Sequence, residues 1–228
     1  MAKRVIALID GFNFYHPINH HQNQQRVCLQ WLDYKRLLSY YVKRSRLNTT
    51  GDLEGVWFFS ALAHWRNKTR PGTTDRHLTY INALKHSGVQ VVLGNFKEKR
   101  NSFYYSCASA STADKCEIFR VSHEEKETDV RIACKLLELA VQDAFDTCLL
   151  LSADSDLVPP IETLNVLAPD KKVVLVTPPS KAKFDKLKQL CDQHIGVGVA
   201  DLKKFQFPDV IDTGNGYTLV NPWKEFRK

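Results

Sequence analysis

Three aspartates directly follow two apolar runs that are typical of buried strands, although the two runs are far apart in the chain. Asp10 follows residues 5–9, and Asp154 and Asp156 come just after residues 148–151. Unbroken apolar runs of this length predict strands of a parallel sheet that is covered on both faces. Functional groups in such sheets gather beyond the carboxyl ends of the strands, so adjacent strands would bring these carboxylates together. Because clustered carboxylates repel each other unless they are neutralised, the pattern predicts a divalent metal site.

Basic residues follow two other apolar runs in the same way. Arg66 and Lys68 follow one run, and Lys97 and Lys99 follow the next. If both runs are parallel strands, these cations flank the edge that carries the carboxylates. The net charge of +7 and the sequence pI of about 9.1 agree with a polyanionic partner. An acidic centre with a basic rim favours the binding of a phosphodiester substrate. The alternative is that these basic residues form an ordinary solvated surface.

The elements that would position these residues alternate between strands and helices. Besides the strands already mentioned, residues 172–176 form a predicted strand. Helical spacing and capping signals predict helices over residues 32–42, 73–85, 129–141, 156–167 and 183–191. Strands that alternate with helices predict an α/β fold with a parallel sheet and right-handed crossovers.

One segment, residues 101–123, interrupts this alternation. Two strand-like stretches around a polar turn predict a β-hairpin inserted between the third strand and the helix that begins at Asp129. Cys107, Cys116 and His123 lie in or beside the hairpin, where they could form a small zinc site. No Cys-x-x-Cys pair is present, so an ordinary hairpin with free thiols is the favoured interpretation.

Length and composition are consistent with one large domain that has a substantial core. The chain has 228 residues, of which 43% are hydrophobic. No apolar run approaches the roughly 18 residues needed to span a bilayer. The N-terminal apolar run stops at Asp10, which is too short for the core of a signal peptide. We therefore expect a cytoplasmic protein with reduced cysteines and no membrane association, and a homo-oligomer is possible.

Three acidic segments in this order resemble the motifs of a known family. They are residues 9–13 (Ile-Asp-Gly-Phe-Asn), 125–130 (Glu-Lys-Glu-Thr-Asp-Val) and 151–156 (Leu-Ser-Ala-Asp-Ser-Asp). They resemble the motifs of NYN-domain proteins, which are LabA-like members of the PIN-like nuclease superfamily. The similarity spans residues 4 to about 200. Ala153 stands where a glycine is common, and an alanine fits there unless the position needs a positive φ.

The resemblance implies a PIN-like, three-layer α/β/α sandwich with a central, mainly parallel sheet. It also implies a Mg²⁺- or Mn²⁺-dependent ribonuclease. In domain terms, residues 1–200 would form the nuclease domain, with the hairpin as an insertion. Residues 201–228 would form a C-terminal extension that packs on the domain or trails from it.

The family's acidic positions fall on Asp10, Asp129, Asp154 and Asp156, and its asparagine falls on Asn13. The four carboxylates would hold one or two Mg²⁺ or Mn²⁺ ions for the hydrolysis of RNA. Each residue also has a purely structural interpretation, because aspartate and asparagine are common in turns and as helix caps.

Two further residues in the motifs are predicted to contact the substrate. Ser152, together with Asn13, would hydrogen-bond a phosphate oxygen or a water molecule on the metal. Lys126, just before the helix at Asp129, would neutralise the phosphate. The structural alternatives are that Ser152 merely ends a strand and that Lys126 is a solvated charge.

Two other classes of protein are alternatives to a nuclease. A phosphatase of the haloacid dehalogenase type needs a second aspartate two positions after the first, and that position is Phe12 here. A non-catalytic RNA-binding module would use the basic rim alone. The four acidic residues favour a nuclease. Trp65, beside the basic residues, could stack unpaired bases, so single-stranded RNA with little sequence preference is the expected substrate.

Overall fold

The computed structural model describes residues 3–44, 53–106, 115–179 and 185–227. The strands are β1 Val5–Asp10, β2 Leu53–Ala61, β3 Gln90–Ser106, β4 Lys115–Lys126, β5 Thr147–Leu151, β6 Lys172–Thr177, β7 Gln193–Gly196, β8 Val210–Asp212 and β9 Thr218–Val220. The α-helices are α1 Gly11–Gln25, α2 Tyr34–Arg44, α3 Thr73–His86, α4 Thr128–Val141, α5 Val158–Leu167, α6 Asp185–Leu190 and α7 Val199–Lys204. Short 3-10 helices span His64–Lys68, Ser155–Leu157 and Lys224–Arg227.

The first seven strands form one sheet in the order β4-β3-β2-β1-β5-β6-β7. Every neighbouring pair in it is parallel except β3 and β4, which are antiparallel. Strand β1 lies in the middle and pairs with β5 from Val5 to Ile9. This pairing confirms that the strands before Asp10 and Asp154 are neighbours. Their carboxyl ends therefore meet at one edge of the sheet.

Helices cover both faces of the sheet. Ala7 and Ile9 pack on the side of α1, α2 and α3, whereas Ile6 and Leu8 pack on the side of α4, α5 and α6. Successive side chains of a strand point to opposite faces, so a strand covered on both sides must be apolar throughout. The predicted three-layer α/β/α sandwich is confirmed. No helix in the four described ranges is long and apolar enough to cross a bilayer.

Strand β3 is longer than predicted because it belongs to two different pairings. It pairs with β2 as far as Gly94 and with β4 from Asn95 to Ser106. The prediction placed Lys97 and Lys99 after the end of the third strand and began a separate hairpin at residue 101, and this boundary is wrong. The charged residues 97–100 contain no glycine or proline to make a turn, so the strand simply continues. The hairpin therefore grows directly out of the edge of the central sheet.

The segment after residue 200 packs against the main core. Phe205 and Phe207 are buried in the hydrophobic cluster on the α1 side of the sheet. Trp31 lies beneath this segment, where its indole Nε1 donates a hydrogen bond of 2.7 Å to the carbonyl oxygen of Pro208. The ring of Trp223 lies 6.4 Å from that of Trp31. The predicted domain boundary at residue 200 falls inside α7.

Candidate metal centre and adjoining cleft

Three carboxylates from distant parts of the chain meet at the carboxyl edge of the sheet. Asp10 ends β1, Asp129 lies in the first turn of α4, and Asp154 follows β5. One oxygen from each lies within 4.8 Å of the other two. None of the ion pairs between described residues involves any of the three. The cluster therefore concentrates negative charge, and no cationic side chain of the described residues neutralises it in an ion pair.

Asp10 is held in place by two hydrogen bonds, one to each carboxylate oxygen. The backbone N–H of Asn13 donates to Oδ1 at 3.0 Å, so Asp10 caps the start of α1. The hydroxyl of Ser152 donates to Oδ2 at 2.9 Å. Burial, with a smaller contribution from the charges of Asp129 and Asp154, raises the pKa of Asp10 to about 6, although the two hydrogen bonds oppose the shift. The carboxylate is thus oriented before any ligand arrives.

Hydrogen bonds connect the loop after β5 to Asp10 of β1 through Ser152 and to α1 through Asn13. The Ser152 hydroxyl also accepts a 3.0 Å hydrogen bond from the backbone N–H of Asp154. The side-chain oxygen of Asn13 accepts one of 2.9 Å from the backbone N–H of Ala153. Ser152 has no exposed surface, and its hydroxyl orients Asp10 and the backbone at Asp154, whereas its contact with a substrate stays a prediction. Ala153 is not among the described residues with positive φ, so an alanine fits there.

The two remaining predicted aspartates differ in their distance from the centre. Asp129 is half-buried, and burial followed by the charges of Asp154 and Asp156 raises its pKa. Its position in the first turn of α4 favours a negative charge, because the helix dipole is positive there. Asp156 is exposed and lies outside the group of oxygens within 4.8 Å. The structure therefore brings three of the four predicted carboxylates together and leaves Asp156 at the margin.

A further carboxyl, that of Glu125, was missed by the sequence prediction. Burial, together with the charges of Asp10 and Asp129, raises its pKa to about 8. The Thr128 hydroxyl donates a hydrogen bond to it. Between them, Glu127 adopts a left-handed conformation with φ of 79°, which reverses the chain sharply from β4 into α4. Glu125 lies four residues before Asp129 in the same acidic segment, and that was the available signal.

The donor set fits a hard divalent cation of the kind that the NYN resemblance implies. Mg²⁺ and Mn²⁺ prefer carboxylate oxygens over nitrogen or sulfur ligands. Asp10, Asp129 and Asp154 offer oxygens only, and the raised pKa values of Asp10 and Asp129 indicate that charge at this place is costly without a counterion. Binding of a cation would relieve that cost.

Replacing Asp10 with asparagine should raise the free energy of unfolding at pH 7 by roughly 1–3 kcal/mol when no divalent metal is present. Folding raises the pKa of Asp10 from 3.8 to about 6. The folded state therefore holds this proton more tightly than the unfolded chain, and wild-type stability falls as the pH rises from about 4 to about 6. Asparagine carries no such charge, so the gain should disappear below about pH 4.

Urea unfolding at pH 4 and pH 7, in EDTA and in saturating Mg²⁺, measures this effect. Mg²⁺ should stabilise the wild type through binding to the native state, and the asparagine variant much less. Asp156→Asn is the matched control, because its carboxylate lies outside the cluster and its stability should change little. A wild type that is more stable than Asp10→Asn at pH 7 in EDTA would contradict the predicted cost of holding this charge in the folded state.

A cleft of about 680 Å³ opens beside the carboxylates. Residues from α1, the 3-10 helix His64–Lys68, α3, the β3–β4 hairpin and the C-terminal segment line it. Gly11 and Glu125 are among these residues. Gly11 directly follows Asp10 in the sequence, and the charges of Asp10 and Asp129 act on Glu125. The cleft and the carboxylates therefore form one continuous region.

The cations at the cleft are arginines. Arg66, Arg70 and Arg76 all line it, and none of them belongs to an ion pair in the described part of the chain. Arg66 was predicted as a substrate contact. Lys68, which was predicted with it, is exposed and does not line the cleft. Unpaired guanidinium groups at a cleft suit the binding of phosphate groups.

The predicted lysines of the hairpin face away from the cleft. Pairing between β3 and β4 places Lys97 and Lys99 on the same hairpin face as Glu124 and Lys126. Glu124 accepts ion pairs from Lys99 at 2.9 Å and from Lys126 at 3.0 Å. Phe96, on the opposite face, lines the cleft. The prediction that these lysines flank the carboxylates assumed that the strand ends before Lys97, but the strand continues through both of them.

Aromatic rings crowd the hairpin side of the cleft. The rings of Trp65 and His123 stack with centroids 4.2 Å apart and an interplanar angle of 9°. Phe96 lies edge-on to Trp65, with 6.3 Å between ring centroids. Of the predicted zinc ligands, Cys107 and the side chain of Cys116 lie outside the described residues. His123 stacks on Trp65 and lines the cleft.

Comparison with known proteins agrees with this architecture. A protein of unknown function from Vibrio parahaemolyticus has a similar crystal structure, with a TM-score of 0.53 and 15% sequence identity over 90% of this chain and 98% of its own. This likeness concerns the fold alone. No curated protein matches the chain. The family model of the NYN domain matches residues 4–198. The chain therefore belongs to the NYN domain family and has its nuclease-like fold.

Proposed function

We propose that this protein is a metal-dependent ribonuclease that hydrolyses phosphodiester bonds in single-stranded RNA. The observation that carries the proposal is the cluster of Asp10, Asp129 and Asp154, whose oxygens lie within 4.8 Å of one another. The arginine-lined cleft beside it supplies the complementary charge for a phosphate backbone. Membership of the NYN family adds independent support, because its members are generally nucleases.

In this mechanism Asp10, Asp129 and Asp154 hold Mg²⁺ or Mn²⁺, and Asp156 contributes charge from the margin. When bound, such a cation activates water and stabilises negative charge that develops on phosphate oxygens. Ser152 and Asn13 keep two of the carboxylates aligned through the hydrogen bonds described above. The protein therefore contributes ligands that are already oriented, because folding supplies the free energy needed to bring the carboxylates together.

The arginines of the cleft place the RNA. Arg66, Arg70 and Arg76 can bind phosphates on the strand next to the scissile bond, since a guanidinium group forms bidentate hydrogen bonds with phosphate oxygens. Glu125 lines the cleft where it meets the carboxylates, and the charges of Asp10 and Asp129 act on it. A strand bound by the arginines would therefore run past the metal ligands.

Cleavage should favour single-stranded RNA over the same sequence in a fully paired duplex by at least about tenfold. The cleft presents Phe12, Trp65 and Phe96, and aromatic rings stack unpaired bases at roughly 1–3 kcal/mol per base. Bases in a duplex are already stacked and cannot use these rings. Competition between labelled single-stranded and duplex RNA at matched salt, with Mg²⁺ or Mn²⁺, measures the preference. Equal cleavage of both forms would contradict it.

A direct test of the proposed activity is RNA cleavage with Mg²⁺, with Mn²⁺ and with EDTA. We expect cleavage with the cations and none with EDTA. The alternative is an RNA-binding module that does not cut, for which the arginines and aromatic residues of the cleft would suffice. RNA binding without cleavage under any of these metals would support that alternative and overturn the proposed hydrolysis.

A further inference from the structure

The interior of the cleft is larger than the proposed hydrolysis requires. Its volume of about 680 Å³ lies within the range of roughly 300–1,000 Å³ that is typical of pockets for small molecules. Holding a strand against the metal needs only the arginines at the surface. The residues that line the interior therefore indicate which kind of ligand enters it.

Aromatic side chains form much of the cleft wall. Tyr34, Phe58 and Tyr80 are buried and line it, and the ring of Phe58 lies 5.7 Å from that of Tyr34 and 6.2 Å from that of Tyr80. Trp223, from the C-terminal segment, lies 6.0 Å from Tyr80. The buried rings leave little surface for stacking, but the partly exposed rings of Trp65 and Trp223 suit a flat, polarisable ligand that can stack.

Neutral hydrogen-bonding groups also line the cleft. Gln30 donates from Nε2 to Asn19 Oδ1 at 3.0 Å, and Asn23 donates to the same oxygen at 3.2 Å. Among the described residues, no hydrogen bond uses the Asn19 side-chain nitrogen, and Asn19 lines the cleft. These amides offer donors and acceptors without net charge.

A second neutral pair lies on the α3 side of the cleft. Ser60 Oγ and His77 Nε2 are 3.3 Å apart, and both residues line the cleft. Burial lowers the pKa of His77 to about 4, so the imidazole is neutral at physiological pH. A neutral imidazole and a hydroxyl can each donate or accept a hydrogen bond. Nucleobase edges present the same mixture of donors and acceptors, without charge.

We infer that this cleft binds one unpaired nucleotide of an RNA strand, with its base stacked on a partly exposed aromatic ring of the cleft and its phosphate on the arginines. The inference rests on the proposed function, since it identifies the substrate of the same site as an RNA with an accessible, unstacked nucleotide. A base in a continuous duplex cannot enter, so entry requires an end, a loop or a flipped nucleotide. The cleft therefore selects for an unpaired nucleotide and does not recognise a longer sequence.

Binding of a mononucleotide in EDTA tests the inference without any catalytic step. The intrinsic fluorescence of Trp65 and Trp223, which both line the cleft, reports occupancy. We expect adenosine or uridine 5′-monophosphate to bind saturably, and ribose 5-phosphate, which lacks the base, to bind at least about tenfold more weakly because it cannot stack. Equal binding of nucleotide and ribose 5-phosphate would overturn the inference.

Variants that fill the cleft connect this binding to the cavity. Ala63→Trp and Asn23→Trp each add a large ring at a lining position that is not part of the buried core, so at least one should fold. Both should weaken mononucleotide binding by tenfold or more. Lys97→Ala, on the opposite face of the hairpin, is the matched control and should leave binding unchanged. Unaltered binding in every folded cleft variant would overturn the inference.

A competition experiment separates a strand nucleotide from a free one. A duplex with one unpaired nucleotide should displace the bound mononucleotide, whereas the blunt duplex should not. If neither duplex competes, the cleft takes free nucleotides and the assignment to a strand is overturned. Mononucleotide binding that persists while metal-dependent cleavage is absent would support the inference and count against the proposed hydrolysis alone.

Discussion

Replacing Asp10 or Asp154 with asparagine should lower metal-dependent RNA cleavage by at least about 100-fold while leaving the fold intact. Each substitution keeps the shape of the side chain but removes a negative charge from a cluster whose oxygens lie within 4.8 Å of one another. A divalent cation held by fewer charges binds more weakly and in a less defined position. Initial rates of cleavage across a Mg²⁺ titration, together with circular dichroism, measure both parts of the prediction.

Two further variants grade this effect by position. Ser152→Ala removes the hydroxyl that orients Asp10 and Asp154, and it should cost about 10–100-fold, as loss of a residue that positions metal ligands does. Asp156→Asn, in an exposed residue outside the cluster, should cost less than about tenfold. Unchanged cleavage and metal dependence in both Asp10→Asn and Asp154→Asn would refute the assigned centre.

Charge reversal at Arg66 or Arg70 should weaken RNA binding by about tenfold or more and reduce its dependence on salt. Binding of each phosphate releases condensed counterions, so the slope of log affinity against log salt should fall by nearly one for each phosphate that the variant no longer binds. Both arginines line the cleft without an ion pair among the described side chains. Fluorescence anisotropy of labelled RNA between about 50 and 200 mM salt, in EDTA, gives both quantities.

The matched control is charge reversal at Lys97 or Lys99, which changes the net charge by the same amount. These lysines lie on the hairpin face that points away from the cleft, and Lys99 is already paired with Glu124. Their reversal should change affinity by less than about threefold through the long-range field alone. Equal losses in the arginine and lysine variants would mean that binding follows overall charge and that the cleft has no special role.

The central part of the site was predictable because it depends on strand order. Asp10 and Asp154 each follow an apolar run with no polar residue, which is typical of strands covered on both faces. Pairing of β1 with β5 then fixes their proximity. Asp129 could not be placed in this way, since it lies on a helix whose approach depends on the turn at Glu127. Its assignment came from the resemblance to the NYN family.

The surroundings of the centre were less predictable because they depend on where β3 ends and on packing between distant segments. A strand of 17 residues that changes partner at Gly94 has no distinct local signal, so the alternation that turns Lys97 and Lys99 away was not foreseen. Arg76 lies on α3 and Arg70 in the turn before it, and both line the cleft because of how α3 packs against β3 and the 3-10 helix His64–Lys68. Local sequence patterns do not contain such long-range packing.

Part of the cleft wall comes from a different stretch of the chain than the metal ligands. Trp223, Glu225 and Phe226 line the cleft, and all three lie beyond residue 198, where the match to the NYN domain ends. Asp10 and Asp154 lie inside that match. Substitutions near the C-terminus can therefore change which ligands fit while the carboxylates stay as they are. Ligand selectivity and the metal ligands can in this sense be changed separately, by natural variation or by protein engineering.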